Sequence, residues 1–273
     1  MNALRNVFEN SRKEGKGVLV GYLTGGDPNP QVTSRIAKAL IEGGVDILEL
    51  GVPFSDPIAD GPVIQAASVR ALAAGTTPRM VLEMAQEIKR KKKLPIVILT
   101  YFNPIFKMGV EDFFQYASKC LVDGVVVPDL PIEEADKYKE VAEACGIDTI
   151  FLASPSTTNE RLNRIIARTS GFLYLVSHFG VTGERDAIDK STIRLVRRVT
   201  RFADRQVPVA VGFGISKPQQ VQTMINSGAD GVIVGSTFVN IVLRNQDSLR
   251  DMLEEMRETA LKLKSATVKQ IKV

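Results

Sequence analysis

A glutamate stands at position 49 inside the apolar run Asp46-Ile47-Leu48-Glu49-Leu50-Gly51. Side chains alternate along a strand, so Glu49 shares a face with Ile47 and Gly51, opposite Leu48 and Leu50. If the two leucines pack on covering helices, Glu49 points inward. A carboxylate there is costly unless it is paired or protonated. Desolvation raises its pKa, which suits proton transfer near neutral pH. A glutamate bonded to backbone is the structural alternative. The segment that follows, Val52-Pro53-Phe54-Ser55-Asp56-Pro57-Ile58-Ala59-Asp60-Gly61-Pro62, is stiffened by its prolines and presents two carboxylates, Asp56 and Asp60. Taken alone, a turn or helix-cap role accounts for each of them, and Asp60 before Gly61-Pro62 fits that role well.

A second set of residues is built on glycine. Gly180-Val181-Thr182-Gly183, Gly212-Phe213-Gly214-Ile215-Ser216 and Gly235-Ser236 each follow a β-branched run, and the last opens a short helical pattern over 237–243. Backbone N–H groups at such turns and at a helix N-terminus bind anions, which predicts a phosphate site. Tight turns that need glycine for geometry are the alternative. Asp129 in Pro128-Asp129-Leu130-Pro131 and Tyr174 are further polar groups placed to reach the same region. A turn aspartate and a core tyrosine explain them equally well. The single histidine, His178, has no Cys or His partner at metal-ligand spacing, and no G-x-S-x-G accompanies it. Proton transfer therefore falls to carboxylates or tyrosine.

Positioning such groups requires a scaffold. Short, almost continuously apolar runs at 18–23, 46–50, 96–101, 125–127, 149–152, 172–176, 209–211 and 232–234 read as eight parallel strands buried on both faces. Between them, apolar spacing of three and four marks helices at 30–42, 79–92, 111–120, 133–144, 159–168, 190–202, 217–227 and 248–263, with an extra helix at 3–13. Thr158 or Asn159 and Ser216 mark helix starts, and Gly43, Gly146 and Gly228 mark helix ends. Eight strand–helix units without a linker predict one (β/α)8 TIM-barrel domain over 1–273. A doubly wound sheet is disfavoured because the first βα turn lacks G-x-G-x-x-G. In a barrel, chemistry gathers at the C-terminal ends of the strands, where Glu49, the loop after it and the glycine turns all fall. The 264–273 segment reads as a frayed tail.

Composition narrows the function classes. The net charge is +4 and the pI about 9.0. The basic groups around Lys89–Lys93 and Arg194–Arg201 are interleaved with apolar residues, as solvated outer helix faces are, and no nucleic-acid motif accompanies them. Cys120 and Cys145, each late in a helical pattern, read as free thiols compatible with a reducing cytoplasm. The N-terminal residues do not read as a signal peptide, and no apolar run approaches a membrane span.

The stretch from Leu48 through Glu49, Phe54-Ser55-Asp56-Pro57, Ala59-Asp60-Gly61-Pro62 and on to Gln65 closely resembles the signature of the tryptophan synthase alpha subunit family. Leu23-Thr24-Gly25-Gly26-Asp27-Pro28, Pro128-Asp129-Leu130-Pro131, Gly180-Val181-Thr182-Gly183 and Gly212-Phe213-Gly214-Ile215-Ser216 match in the same order, so the resemblance spans nearly the whole chain. It implies retro-aldol cleavage of indole-3-glycerol phosphate to indole and glyceraldehyde 3-phosphate, with no cofactor or metal. It implies that Glu49 is the acid/base and that Asp60 accepts a hydrogen bond from the indole N–H. Tyr174 would line the pocket near Glu49. Tyr22, Thr100, Phe213 and Ile215 would shape the indole cavity, and Thr182, Gly183, Gly214, Gly235 and Ser236 would serve the loop and phosphate site. It further implies a β subunit, carrying pyridoxal phosphate, that receives indole in an α2β2 complex, with the loop bearing Asp56 closing toward it. A free-standing lyase or a weakly catalytic regulatory subunit would carry the same motifs. Gly25, where alanine is usual, Gly21, and His178-Phe179 depart from the common pattern. They bear on pocket shape and loop rigidity rather than on reaction class.

Overall fold

The computed structural model describes residues 2–177, 188–212 and 214–270. Within them lie nine parallel strands: β1 (Val18–Thr24), β2 (Ile47–Gly51), β3 (Ile96–Leu99), β4 (Gly124–Val126), β5 (Asp148–Ile150), β6 (Leu152–Ala153), β7 (Leu173–Val176), β8 (Val209–Gly212) and β9 (Gly231–Val234). They pair in the order β5-β4-β3-β2-β1-β9-β8-β7-β6. The two ends of that order, β5 and β6, are consecutive in the chain and separated only by Phe151. The predicted fifth strand is thus one extended segment that changes neighbours. Its first half pairs with β4, its second half with β7, and the Phe151 carbonyl accepts from the Tyr174 N–H at 3.0 Å. The sheet closes on itself there, giving the expected eight-stranded barrel architecture with one strand kinked.

Side chains sort by face as the alternation requires. Leu48 and Leu50 belong to the large core between sheet and helices, while Ile47 belongs to a separate cluster inside the barrel. That inner cluster includes Val20, Val97, Val126 and Ile233, and it is plugged from below by Leu4 and Phe8 of the helix Ala3–Lys13. Phe8 meets Phe172 with ring centroids 5.5 Å apart. The helix is held at its start by the Asn2 side chain, which accepts from the Arg5 N–H. With the bottom closed by this plug, only the C-terminal end of the barrel is left for a substrate.

Three aspartates placed just before strands fasten neighbouring units together. Asp46 accepts from the Leu19 N–H at 2.7 Å, Asp123 from Ile96 N–H at 2.7 Å and Asp230 from Val209 N–H at 3.0 Å. Each also meets a cation: Lys264 at 2.6 Å, Lys89, and Arg12 at 2.9 Å. The Lys264 tie corrects the reading of 264–273 as a frayed tail. Thr267 is fully buried, its carbonyl accepts from Gly17 N–H at 2.8 Å, and Lys269 N–H reaches Gly15 O at 2.9 Å. The chain is fastened as far as these contacts reach, because a buried backbone group must find a partner.

Two helices fall outside the sequence prediction, Pro62–Ala73 and Phe102–Met108. The first buries Ile64, Ala67, Ser68 and Ala71, yet Val69 and Leu72 on its other side are exposed, so its apolar residues do not form one stripe. The second begins where a strand was expected to run on to 101; β3 stops at Leu99 and Tyr101 becomes the cap of the helix. The helix start assigned to Ser216 lies one residue later, at Lys217 with Pro218 at the first helical position.

The loop after β1 is locked to the helix Pro62–Ala73 by a bidentate pair. Arg70 Nε lies 2.7 Å from Asp27 Oδ1 and Arg70 Nη2 lies 2.8 Å from Oδ2. The Asp27 carboxylate is almost fully buried. Losing one member of such a pair strands a charge at a cost of about 3–5 kcal/mol. Arg70→Leu is expected to lower unfolding stability by that order in denaturant melts, with Asp27→Asn in the same chain recovering part of it. A loss below about 1 kcal/mol would show that the pair is not needed.

Candidate active site

Glu49 is held at the centre of the barrel by its neighbours in register, Tyr22 of β1 and Val97 of β3. It is fully buried, and neither carboxylate oxygen has a hydrogen-bond partner among the described residues. Burial pushes its carboxyl up to about 8, and the nearby Asp60 charge adds to the rise. Near neutral pH it is therefore mainly a neutral acid, able to give a proton and take one back. The backbone-bonded alternative for this glutamate is not what the structure holds.

Asp60 reaches the same space from the loop after β2. Burial raises its carboxyl to about 6, against the opposing hydrogen bond from the Tyr101 hydroxyl. The two carboxyls thus differ: around pH 7 one is mostly protonated and the other mostly ionised. Environments that split a pair of acids in this way are the usual arrangement for dividing proton transfer from charge stabilisation.

Two tyrosines complete the walls. Tyr22 and Tyr174 are buried, and burial together with the Glu49 and Asp60 charges holds both phenols well above their ordinary range. Each lies over a glycine that ends a strand. A Cβ on Gly51 would stand 2.1 Å from the Tyr22 hydroxyl, and one on Gly212 would stand 2.6 Å from the Tyr174 ring. These glycines are required by close approach rather than by turn geometry. Thr100 is fully buried with its hydroxyl on the Tyr101 carbonyl at 3.3 Å, and Ile215 is buried beside the Gly214 turn.

Gly214 has φ +77, and Gly235 caps the nine-residue helix Ser236–Arg244 after β9. The first N–H groups of that helix have no intrahelical partner and face the C-terminal end of the barrel. The Thr237 hydroxyl at the same end is buried without a hydrogen-bond partner among the described residues. Thr237 was not singled out from sequence. Nothing in its type distinguishes it from an ordinary helical threonine. Asp129 turns out to serve the scaffold: it accepts from the Phe102 N–H at 2.9 Å and so fixes the segment after β3. Asp56 is exposed and accepts from the Ser55 hydroxyl at 2.5 Å. Thr182, Gly183, Phe213 and His178 lie outside the described residues.

Leu195, Val196 and Val199 are buried while Arg194, Arg197, Arg198 and Arg201 lie on the exposed side of the helix Lys190–Ala203. Cys120 and Cys145 are free, the first buried. Among the described residues no helix is long and apolar enough to cross a membrane, and no three His, Cys, Asp or Glu side chains are grouped to hold a metal.

The family model described as "Tryptophan synthase alpha chain" matches residues 8–268. The chain belongs to this family. It is 45% identical to the tryptophan synthase alpha chain of Methanoregula boonei over 97% of its own length and 98% of that protein. It is 48% identical to the tryptophan synthase alpha chain of Methanopyrus kandleri, covering 95% and 93% of the two chains. Among solved structures, a Mycobacterium tuberculosis tryptophan synthase chain superposes with a TM-score of 0.88 at 34% identity, covering 98% of both chains. A chain from the Pyrococcus furiosus tryptophan synthase α2β2 complex gives 0.85 at 42% identity, over 91% of this chain and 98% of that one. The tryptophan synthase alpha chain fold is therefore matched from the plugging helix to the C-terminal helix.

Proposed function

We propose that this chain cleaves indole-3-glycerol phosphate to indole and glyceraldehyde 3-phosphate and passes the indole to a β subunit. The observation that carries the reading is Glu49: a fully buried carboxyl with both oxygens unpartnered among the described residues, raised to about 8, facing a second carboxyl of lower pKa. The protonated Glu49 gives its proton to indole C3. The ring becomes an indoleninium, and ionised Asp60 accepts the hydrogen bond of its N–H and balances the charge. The Glu49 carboxylate then removes the proton of the side-chain hydroxyl next to C3. The C–C bond breaks, its electron pair returns to the ring as neutral indole, and the carbonyl of the aldehyde forms. Glu49 ends protonated as it began, so the cycle closes on protons alone and calls for no cofactor in this chain. Tyr22, Tyr174, Thr100, Ile215 and Phe213 would bound the indole. Gly214, Gly235, Ser236, Thr182 and Gly183 would hold the phosphate, at a helix N-terminus suited to it.

The family supports the β partner, and with it an α2β2 assembly in which pyridoxal phosphate belongs to the β subunit. Ile58, 82% exposed, lies on the segment that follows β2, two residues from Asp56, and Phe106, 69% exposed, lies on the helix that follows β3. We place the protein in the cytoplasm, where both cysteines stay reduced.

The deciding experiment is an indole-release assay on indole-3-glycerol phosphate with and without a β subunit. Indole should appear in both, and faster with the partner; an unchanged rate would leave a free-standing lyase. Asp60→Asn is expected to lower kcat by ~10²-fold, the scale of losing one charge-stabilising group, with KM changed little. Near-normal kcat in that variant would remove Asp60 from the reaction.

A further inference from the structure

We propose that the rear of the barrel carries a second anion site, which takes a small ligand bearing several charges on linked phosphates. It lies at the pole opposite Glu49 and Asp60 and is independent of the reaction assigned to them.

A cleft of about 540 Å³ opens at that pole, where Val207 and Asp230 on its wall lead into β8 and β9. Five cations line it: Arg12, Arg197, Arg201, Arg205 and Lys269. Asp230 is the one carboxylate among the lining residues, and it is already engaged. It lies 2.9 Å from Arg12 and accepts from the Val209 N–H at 3.0 Å. The other four cations have neither an ion pair nor a side-chain hydrogen bond among the described residues. The surplus in this one cleft equals the net charge of the whole chain, +4.

Basic residues near a helix C-terminus complement its dipole, and that accounts for Arg12 and Arg201 in the last turns of their helices. It does not account for the rest. Arg197 stands four residues before Arg201 on the helix Lys190–Ala203, a spacing at which like charges repel. Lys269 comes from the far end of the sequence and its backbone is fixed in place. Its N–H reaches Gly15 O at 2.9 Å, and the next one, of Gln270, reaches Asn226 Oδ1 at 3.2 Å. Cations carried to one cleft by separate elements repel each other, and a bound anion removes that cost.

The lining sets the class of ligand. The hydroxyls of Thr200 and Ser227 give their protons to Val196 O and Thr223 O, at 2.9 and 2.7 Å, so recognition falls to the cations. Guanidinium forks match paired phosphate oxygens. A single phosphate cannot meet cations on three elements at once, whereas linked phosphates can. Among the described residues no aromatic side chain lines the cleft, so it lacks the stacking platform that single-stranded nucleic acid uses. Its volume is that of a small-molecule site.

The test is calorimetric titration of inorganic triphosphate into the full chain at about 50 mM salt, where screening is weak, with the barrel mouth filled by a non-cleavable indolyl phosphate. The wild type should bind one triphosphate per chain, about tenfold or more tighter than orthophosphate. Arg197→Gln combined with Arg201→Gln should weaken binding by about tenfold, the scale of losing hydrogen bonds to a charged group. Both side chains are exposed, so the fold is kept, and a melt of the ligand-free variant checks it. Lys269→Gln, on a separate element, should weaken binding in the same direction, so the outcome does not hang on one helix. No binding at about 1 mM, equal binding in wild type and both variants, or orthophosphate binding as tightly as triphosphate overturns the site. Tighter binding of a single-stranded oligonucleotide or an anionic phospholipid vesicle, lost in the same variants, overturns it as well, since the cleft would then be a macromolecular surface.

Discussion

Glu49→Gln is expected to cut indole release by ~10²–10⁴-fold, the range that a positioned acid/base supplies. Glutamine keeps the size and the buried position but cannot donate a carboxyl proton or take one back. Because the proposed cycle uses Glu49 twice, first at C3 and then at the hydroxyl, both steps are lost and no neighbouring group replaces it. Tyr22 and Tyr174 lie close, yet both phenols are held too high to share the proton near pH 7. The fall should appear in kcat, and binding of a non-cleavable indolyl phosphate should persist, since Glu49 touches neither the phosphate end nor the indole N–H in the scheme. Near-normal turnover in Glu49→Gln would sink the mechanism.

The second large effect is on stability. The folded-state pKa of Glu49, about 8, lies above the 4.5 of an unperturbed glutamate. Below about pH 4.5 the group is neutral both folded and unfolded and costs nothing. Between about 4.5 and 8 the unfolded chain has released the proton and the folded chain still binds it, so stability falls by ~1.4 kcal/mol for each pH unit. Above about pH 8 the penalty is complete. Asp60 adds a smaller fall of the same sign between its unperturbed value of 3.8 and about 6. Glu49→Leu removes the main term. Its advantage over wild type in urea unfolding should therefore grow from pH 5 to pH 8 and then level off. A pH-independent difference between the two would mean that Glu49 is not held neutral in the fold. Those two results together would place Glu49 among groups kept for activity at the expense of stability.

The sequence carried these two groups unequally. Glu49 was legible because the period of a strand is two: Leu48 and Leu50 had to face the helices, and that left the carboxylate inside. Asp60 was not legible from its neighbours, since Asp-Gly-Pro is ordinary turn chemistry, and only the surrounding family signature lifted it. The backbone N–H of Ala59, next to Asp60, is held by the hydroxyl of Tyr101, 41 residues beyond Asp60 and read as the end of a strand. A contact between two loops leaves no periodicity in either. The helix Pro62–Ala73 escaped for a related reason, because small and apolar residues on both its sides blur the stripe. The fifth strand was found but not its kink at Phe151, which depends on having β4 on one side and β7 on the other. Thr237 and the Asp27–Arg70 pair belong to the same class: their significance lies in who stands opposite.

The backbone bonds that join Gly15 and Gly17 to Lys269 and Thr267 bring the first and last parts of the chain together at one pole of the barrel. The mouth with Glu49 and Asp60 opens at the other pole. A fluorophore, affinity tag or surface tether joined at either terminus would consequently leave from the rear of the molecule. The protein can be handled from behind, immobilised or coupled to a reporter, while the face that would admit substrate and meet a partner stays unobstructed.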